Sequence, residues 1–342
     1  MRILALPKFS DRNPYTSLLY TAVENLGVEV VEFDPRAGSP SKGDLLHVHW
    51  PDWFLGRRNP IAVMRECATW IDGLRALKSN GTKLVWTVHN LHSHEARHGL
   101  AQKKLWKEFV PMVDGCICLS DVSMTLVRKQ FPALTCPATT VPHGHYRDVY
   151  PNTVSREDAR RKLGISPSTF VFVHVGMVRG YKNVPELIQA FRGVEGDVAL
   201  LIAGEVFDEG LKRRIEAATE EEGRVRLSLK RVGDEELQDY FNAADVAVFP
   251  YRDILNSGSA LMALSFDTPV LVPAIGSMPE LRETIGPDWV RTYNGPFGTR
   301  ALKDAMKWAT EVARPLRAPL NQLDWSVLAK KTVKFYSQVL GS

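Results

Sequence analysis

The sequence predicts an α/β protein built from two doubly wound parallel sheets. Apolar runs alternate with amphipathic segments from end to end, and most of the runs lack internal polar alternation. That is the pattern of parallel strands covered on both faces. The series restarts near residue 168, after a charged stretch carrying Pro151, Gly164 and Pro167. A chain of 342 residues suits two domains of ordinary size.

In the first half, strands are expected at Arg2–Leu6, Val28–Phe33, Leu45–Trp50, Lys83–Val88 and Gly115–Leu119. In the second half they are expected at Thr169–Val175, Val198–Ala203, Val225–Leu229, Asp245–Pro250 and Pro269–Val272. Between strands, Asn13-Pro14 is placed to start a helix with Leu18, Leu19, Ala22, Val23 and Leu26 on one face, ended by Gly27. Pro185 opens a second helix, with Leu187, Ile188 and Phe191 inward. Asp234 is the expected cap of a third, whose stripe is Leu237, Tyr240, Phe241 and Ala244. A first domain covers 1–150 and a second 151–324, with the linker at about 145–155. Glu157–Leu163 forms a short helix entering the second domain. In open α/β sheets ligands bind at the carboxyl ends of strands, so the two domains are expected to share a cleft there.

Composition narrows the class. Hydrophobic residues are 44% and charged residues 24%, as in a soluble globular protein. No apolar run approaches the ~20 residues of a membrane span. The N-terminus reads as a first strand, not a signal peptide. Cys67, Cys116, Cys118 and Cys136 are expected as core thiols, which fits a cytoplasmic location. Net charge is +4, too mild to argue for nucleic acid. Residues 1–150 hold 18 Lys+Arg against 14 Asp+Glu, whereas the remainder is balanced at 25 each. A weakly anionic partner, or a membrane surface touched peripherally, would therefore be met by the first half.

Gly176-Met-Val-Arg-Gly-Tyr-Lys-Asn183 follows a strand and precedes the Pro185 helix. Glycines allow close backbone approach, a helix start favours anions, and Arg179 and Lys182 can neutralise a departing diphosphate. Asn256-Ser-Gly-Ser259 follows the strand ending in Phe249-Pro250 and offers amides and hydroxyls to the same kind of anion; the plainer reading is a routine helix cap. His49 and His89 follow two first-half strands, where a residue that holds a sugar hydroxyl or moves a proton belongs. Trp50, Trp53 and Trp86 are candidate flat faces for a sugar ring. His89, His92, His94 and His98 cluster with Glu95, but His94 and His98 lack the spacing of a His-Glu-x-x-His site, and no metal is assigned.

These motifs resemble a family. Leu45-Leu-His-Val-His-Trp50, Val85-Trp-Thr-Val-His-Asn90 and Asp114-Gly-Cys-Ile-Cys-Leu-Ser120 are similar to N-domain signatures of GT-B glycosyltransferases acting on nucleotide-activated sugars. Val141-Pro-His-Gly-His145 resembles the interdomain segment, and Val173-His-Val-Gly-Met-Val-Arg-Gly-Tyr-Lys182 the diphosphate loop. Leu201-Ile-Ala-Gly204, Ala244-Asp-Val-Ala-Val-Phe-Pro250, Thr268-Pro-Val-Leu271 and Met278-Pro-Glu-Leu281 continue the C-domain pattern. The resemblance implies the GT-B fold: two Rossmann-like domains facing a cleft, with residues 325–342 as a helix crossing back to the first domain.

It also implies a sugar transfer from a nucleoside-diphosphate donor to a saccharide or lipid-linked saccharide in polysaccharide synthesis, with no cofactor or metal and no nucleic acid partner. The donor-binding set is Gly176, Arg179, Lys182, Asn183, Gly204, Val232, Asn256, Ser257, Gly258, Ser259 and Glu280. The acceptor-binding set is Asn13, Tyr15, His49, Trp50, Asn90 and His94. Arg179 and Lys182 act on the leaving group, and Asp52, Glu95, His49 and His89 are the candidate bases.

Two departures from the family pattern matter. Met177 stands where the family's loop carries Arg, and Arg179 substitutes. Two glutamates common in the family align with Ile254 and Met262, which cannot bond a ribose or a sugar. The pattern then looks like exopolysaccharide enzymes of the β-mannosyltransferase type, which invert, favouring GDP-mannose over a UDP-sugar. The alternatives are a sugar-nucleotide epimerase of the same fold and a non-catalytic nucleotide-sugar binding protein.

Overall fold

The computed structural model describes residues 1–10, 13–35, 44–91, 98–220 and 222–341. The chain divides into two units, Met1–Gly144 with Leu323–Ser342, and His145–Gln322.

In the first unit, six parallel strands run β1 (Arg2–Leu6), β2 (Glu29–Glu32), β3 (Leu45–Val48), β4 (Lys83–Val88), β5 (Gly115–Cys118) and β6 (Ala138–Thr140), in the order β2-β1-β3-β4-β5-β6. Side chains alternate between faces. Leu4, Leu46, Leu84, Trp86 and Cys116 join one buried cluster. It is shared with α2 (Pro60–Ser79), α3 (Gly99–Phe109) and α4 (Asp121–Gln130). Ile3, Ala5, Leu45, Val85 and Ile117 point the other way, under α1 (Tyr15–Glu24) and α12 (Trp325–Gly341). A Cβ on Gly115 would lie 2.6 Å from Val339 Cγ2, so a glycine there lets α12 sit close to the sheet.

The second unit has β7 (Phe170–Val175), β8 (Val198–Ala203), β9 (Val225–Ser228), β10 (Val246–Val248), β11 (Val270–Pro273) and β12 (Val290–Tyr293), in the order β12-β11-β10-β7-β8-β9 and all parallel. Phe172, Leu200, Ile202, Val246, Val248 and Leu271 form one core face. It packs under α6 (Val184–Arg192), α7 (Glu209–Thr219) and α11 (Thr299–Glu311). Near the start of this unit α5 (Arg156–Lys162) is capped by Ser155, whose hydroxyl accepts from Asp158 N. Arg160, 3% exposed, donates from α5 to the carbonyls of Ala243, Ser166, Pro167 and Thr169 and to Asp245 Oδ2.

Several expectations need correction. Strands β6 and β12 were not expected; both are short edge strands, where a weak apolar pattern suffices. The buried face of α1 is Tyr15, Thr16, Leu19, Tyr20 and Val23, rotated from the expected stripe, and Leu26 is exposed. The sheet is reached through tyrosines that an aliphatic stripe overlooks. Asp234 does not cap α8 (Leu237–Ala243); the preceding residue, Glu236, stands there, its carboxylate accepting from Gly233 N. No helix among the described residues is long and apolar enough to cross a membrane.

Candidate functional site

In the second unit the strand order reverses between β7 and β10, the switch point at which open α/β sheets bind ligands. The loops after these two strands are the two that the sequence singled out. Gly176 takes φ +125, and a Cβ there would lie 2.9 Å from Ser259 Oγ and 3.3 Å from Lys182 Nζ. Lys182 Nζ donates to Ser259 Oγ at 3.3 Å. Gly204, after β8, takes φ +155, and its Cβ would fall 2.1 Å from Gly176 O. Only glycine tolerates this crossing of two backbones.

Lys182 is buried, and burial followed by the charge of Arg179 lowers its amine to about 8. A buried ammonium costs free energy unless an opposite charge meets it. Asn183 sits at φ +61 before α6; it is 6% exposed, and its Oδ1 has no hydrogen-bond partner among the described residues. His174, at the end of β7, donates from Nδ1 to Val248 O at 2.8 Å, which leaves Nε2 as a buried acceptor. Burial and then Lys182 lower its pKa to about 3.

Ser257 caps α9 (Gly258–Ser265), accepting from Ala260 N at 3.1 Å while paired with Tyr251 Oη at 2.8 Å. Its hydroxyl thus serves the helix start, and Asn256, Gly258 and Ser259 are half-buried beside it. Gly276, after β11, would place a Cβ 2.0 Å from Ile254 O. Ser277 N donates to Leu255 O, so this third loop is tied to the second. Ile254, Met262 and Glu280 are half-buried, Glu280 in the first turn of α10 (Met278–Ile285). Val232 is half-buried in the loop after β9.

In the first unit, one face of β3 and β4 changes character toward its carboxyl end. Leu45 and Val85 are apolar; His47, His49, Thr87 and His89 continue the same face, two residues apart each time. His47 Nε2 meets Thr87 Oγ1 at 2.7 Å, and His49 Nδ1 meets His89 Nε2 at 2.9 Å. Tyr20 of α1 bridges His47 Nδ1 at 2.9 Å and His49 Nε2 at 2.8 Å, and Tyr336 of α12 reaches His47 Nδ1 at 2.6 Å. Trp50 stacks on His89 at 4.5 Å between ring centroids. Tyr15 is buried and presents its edge to His89 and His143, each at 4.8 Å, and to Trp325 at 5.2 Å.

Burial dominates the titration here. It lowers His47 to about 3 and His143 to about 4, and His49 and His89 fall well below 6.5. All four are neutral imidazoles at pH 7. Asn13 Oδ1 accepts from Tyr15 N at the start of α1, Asn90 is exposed beside His89, and Asp52 is half-buried in the turn after β3. His94 and Glu95 lie outside the described residues, as does His92. His98 Nε2 pairs with Arg57 O at 2.7 Å. Trp86 is 1% exposed and belongs to the core, so it offers no face to a sugar; Trp53 packs edge-on to Phe54.

The histidine chain enlists Tyr20, His47, Thr87 and Tyr336, to which the sequence reading gave no role. The signal was the period-2 spacing of polar residues, 47 with 49 and 87 with 89, within otherwise apolar strands. His143 was quoted in a motif but not as part of this cluster.

Two six-stranded parallel sheets in an α/β chain match the fold of GT-B glycosyltransferase structures. Residues 169–317 match the model of the family "Glycosyl transferases group 1". Over 333 residues, 97% of this chain and 90% of the relative, the chain is 29% identical to a GDP-mannose:glycolipid 4-beta-D-mannosyltransferase of Xanthomonas campestris pv. campestris. It is 32% identical over 247 residues, 69% of this chain and 56% of the relative, to a D-inositol 3-phosphate glycosyltransferase of Corynebacterium urealyticum. The fold is shared with a sucrose-phosphate synthase from Thermosynechococcus elongatus, at TM-score 0.74 and 18% identity over 100% of this chain and 99% of that one.

Proposed function

We propose that the protein transfers mannose from GDP-mannose to a hydroxyl of a lipid-linked saccharide in polysaccharide synthesis, forming a β-linkage. The observation that carries this reading is the similarity to a GDP-mannose:glycolipid 4-beta-D-mannosyltransferase along 97% of the chain. The switch-point loops of the second unit support it, because their cation, glycines and helix start suit a diphosphate.

In this reading the acceptor oxygen attacks the anomeric carbon and its proton passes to a base of the first unit. The bond from the anomeric carbon to the diphosphate oxygen breaks, and GDP leaves with its charge met by Lys182, Arg179 and the amides opening α9. His89 is the favoured base, being neutral at pH 7 and held by Trp50 and His49; Asp52 is the alternative. The cations stand in for a divalent metal, so turnover is expected to persist in excess EDTA. The basic excess of residues 1–150 supports a loose, salt-screened contact with an anionic membrane surface, where a lipid-linked acceptor would lie.

A thermal-shift panel of nucleoside diphosphates tests the donor: a ligand at ~100 times its dissociation constant adds about 2.7 kcal/mol of stability. GDP should lead and UDP should trail. Turnover with a lipid-linked saccharide, followed by the anomeric carbon–proton coupling of the product, tests acceptor and stereochemistry. An α-linkage overturns inversion. Apolar side chains at Ile254 and Met262 would also suit a binding protein, and donor affinity without turnover would favour that reading.

A further inference from the structure

We infer that the buried chain Tyr336–His47–Tyr20–His49 sets the tautomer of His89, placing its proton on Nε2 and presenting Nδ1 as its acceptor nitrogen. The functional consequence rests on the reading of His89 as base; the tautomer itself does not.

Counting protons along the chain decides its direction. Each neutral imidazole carries one N–H and one lone pair, and each phenol one O–H. Tyr336 Oη has His47 Nδ1 as its one recorded hydrogen-bond partner among the described residues, at 2.6 Å. Tyr336 is fully buried, and burial holds its phenol protonated. If His47 carried its proton on Nδ1, the Tyr336 O–H would face another donor and be left without an acceptor, the costly case for a buried polar group. The lone pair of His47 is therefore on Nδ1, and its N–H is on Nε2, donating to Thr87 Oγ1.

The rest follows link by link. Tyr20 Oη also meets His47 Nδ1, so it too donates there; pointing its proton elsewhere would set two lone pairs against each other at 2.9 Å. With that proton committed, Tyr20 Oη must accept from His49, whose N–H is then on Nε2. His49 Nδ1 is left with its lone pair and accepts from His89 Nε2. In this arrangement the Tyr336 and Tyr20 hydroxyls share the His47 Nδ1 lone pair and every other donor has its own acceptor. Reversing the whole chain strands the Tyr336 hydroxyl, and reversing only the Tyr20–His49–His89 arm sets the Tyr20 and His47 lone pairs against each other. Tyr336, Tyr20 and His49 are thus positioning residues. They act through His89, whose ring plane is separately held by the Trp50 stack and the Tyr15 edge.

A tautomer, unlike a packing role, has a spectroscopic signature. The experiment is long-range proton–nitrogen NMR of the full chain labelled with ¹⁵N-histidine at pH 7, with His89 assigned by subtraction in His89→Gln. The wild type is expected to show His89 neutral, protonated at Nε2. Tyr336→Phe removes the group that polarises the chain, and Tyr20→Phe cuts it between His47 and His49; each keeps its aromatic ring. In each variant His89 should populate both tautomers, and kcat should fall roughly tenfold while donor KM holds, a part of the 10²–10⁴-fold that a positioned base supplies. A wild-type His89 protonated at Nδ1, or a cationic one, overturns the inference, as does a His89 tautomer unchanged in both variants. A mixed tautomer with unchanged kcat supports the assignment and instead removes His89 as base.

Discussion

Lys182 Nζ lies 3.3 Å from Ser259 Oγ, joining the loop after β7 to the loop after β10 although 77 residues separate them in the chain. The two strands are neighbours in the sheet, so their carboxyl-end loops must meet. The glycine at 176 leaves room for the lysine between them. Lys182→Ala should lower turnover 10²-fold or more, about 2.7–4 kcal/mol for a lost transition-state charge contact. It should also abolish the thermal shift with GDP. Wild-type turnover would remove the diphosphate from this loop.

The same lysine sets a pH dependence. Its amine is lowered from 10.5 to about 8, by burial and then by Arg179. As pH rises through about 8 the folded chain loses this proton while the unfolded chain keeps it. This group therefore adds stability to the ligand-free protein as pH rises to about 10.5, while the proposed anion site loses charge. GDP affinity, followed by titration calorimetry, should weaken as pH passes about 8. A constant affinity up to pH 10 would mean that Lys182 does not meet the phosphate.

Gly204→Ala tests the backbone crossing. Its Cβ would sit 2.1 Å from Gly176 O at a φ of +155, so the β7 and β8 loops must part. A strained backbone position of this kind costs about 1–3 kcal/mol. Denaturant unfolding should show that loss together with a weakened GDP shift. Gly196→Ala, also at positive φ but with open space around its Cβ, should lose stability without losing the shift.

Acid should unfold the chain early. His47 and His174 are lowered to about 3 and His143 to about 4, against 6.5 when exposed. Below pH 6.5 the unfolded chain takes up protons that the folded chain refuses, so stability falls with pH down to the folded values. Each such histidine adds about 1.4 kcal/mol per pH unit to the slope. Urea midpoints at pH 7, 6 and 5 should drop progressively; a flat series would show that these imidazoles charge within the fold.

Arg160→Met should cost about 3 kcal/mol, since it leaves several buried carbonyls without their donor and takes one of three donors from Asp245, which keeps Arg156 and Val171 N. It lies at the amino ends of β7 and β10, away from the loops proposed to bind the donor. GDP binding by the folded fraction should therefore persist. A loss of binding at unchanged stability would place Arg160 in the ligand site instead.

Much of the architecture was legible because parallel strands buried on both faces read as unbroken apolar runs. Val198–Ala203 is such a run, and it is a strand over that span. The loop Gly176–Asn183 was legible because glycine, cation and helix start lie together in eight residues. Edge strands β6 and β12 were not, since half-exposed strands need no such run. The capping of α8 was missed because Asp234 and Glu236 both suit a helix start, and only backbone geometry separates them.

The sequence by itself determined the order of strands and helices, the glycine-rich loops after β7 and β10, and the family resemblance in its spaced motifs. Each is a local property, carried by residues within a few positions of one another. Only the tertiary structure decided that Tyr20, His47 and Tyr336 belong with His49 and His89. Tyr336 lies 289 positions from His47 in the chain and reaches it only because α12 packs on the same sheet face as α1. Which nitrogen of a buried histidine carries the proton depends on partners brought together by folding, and no spacing along the chain encodes it.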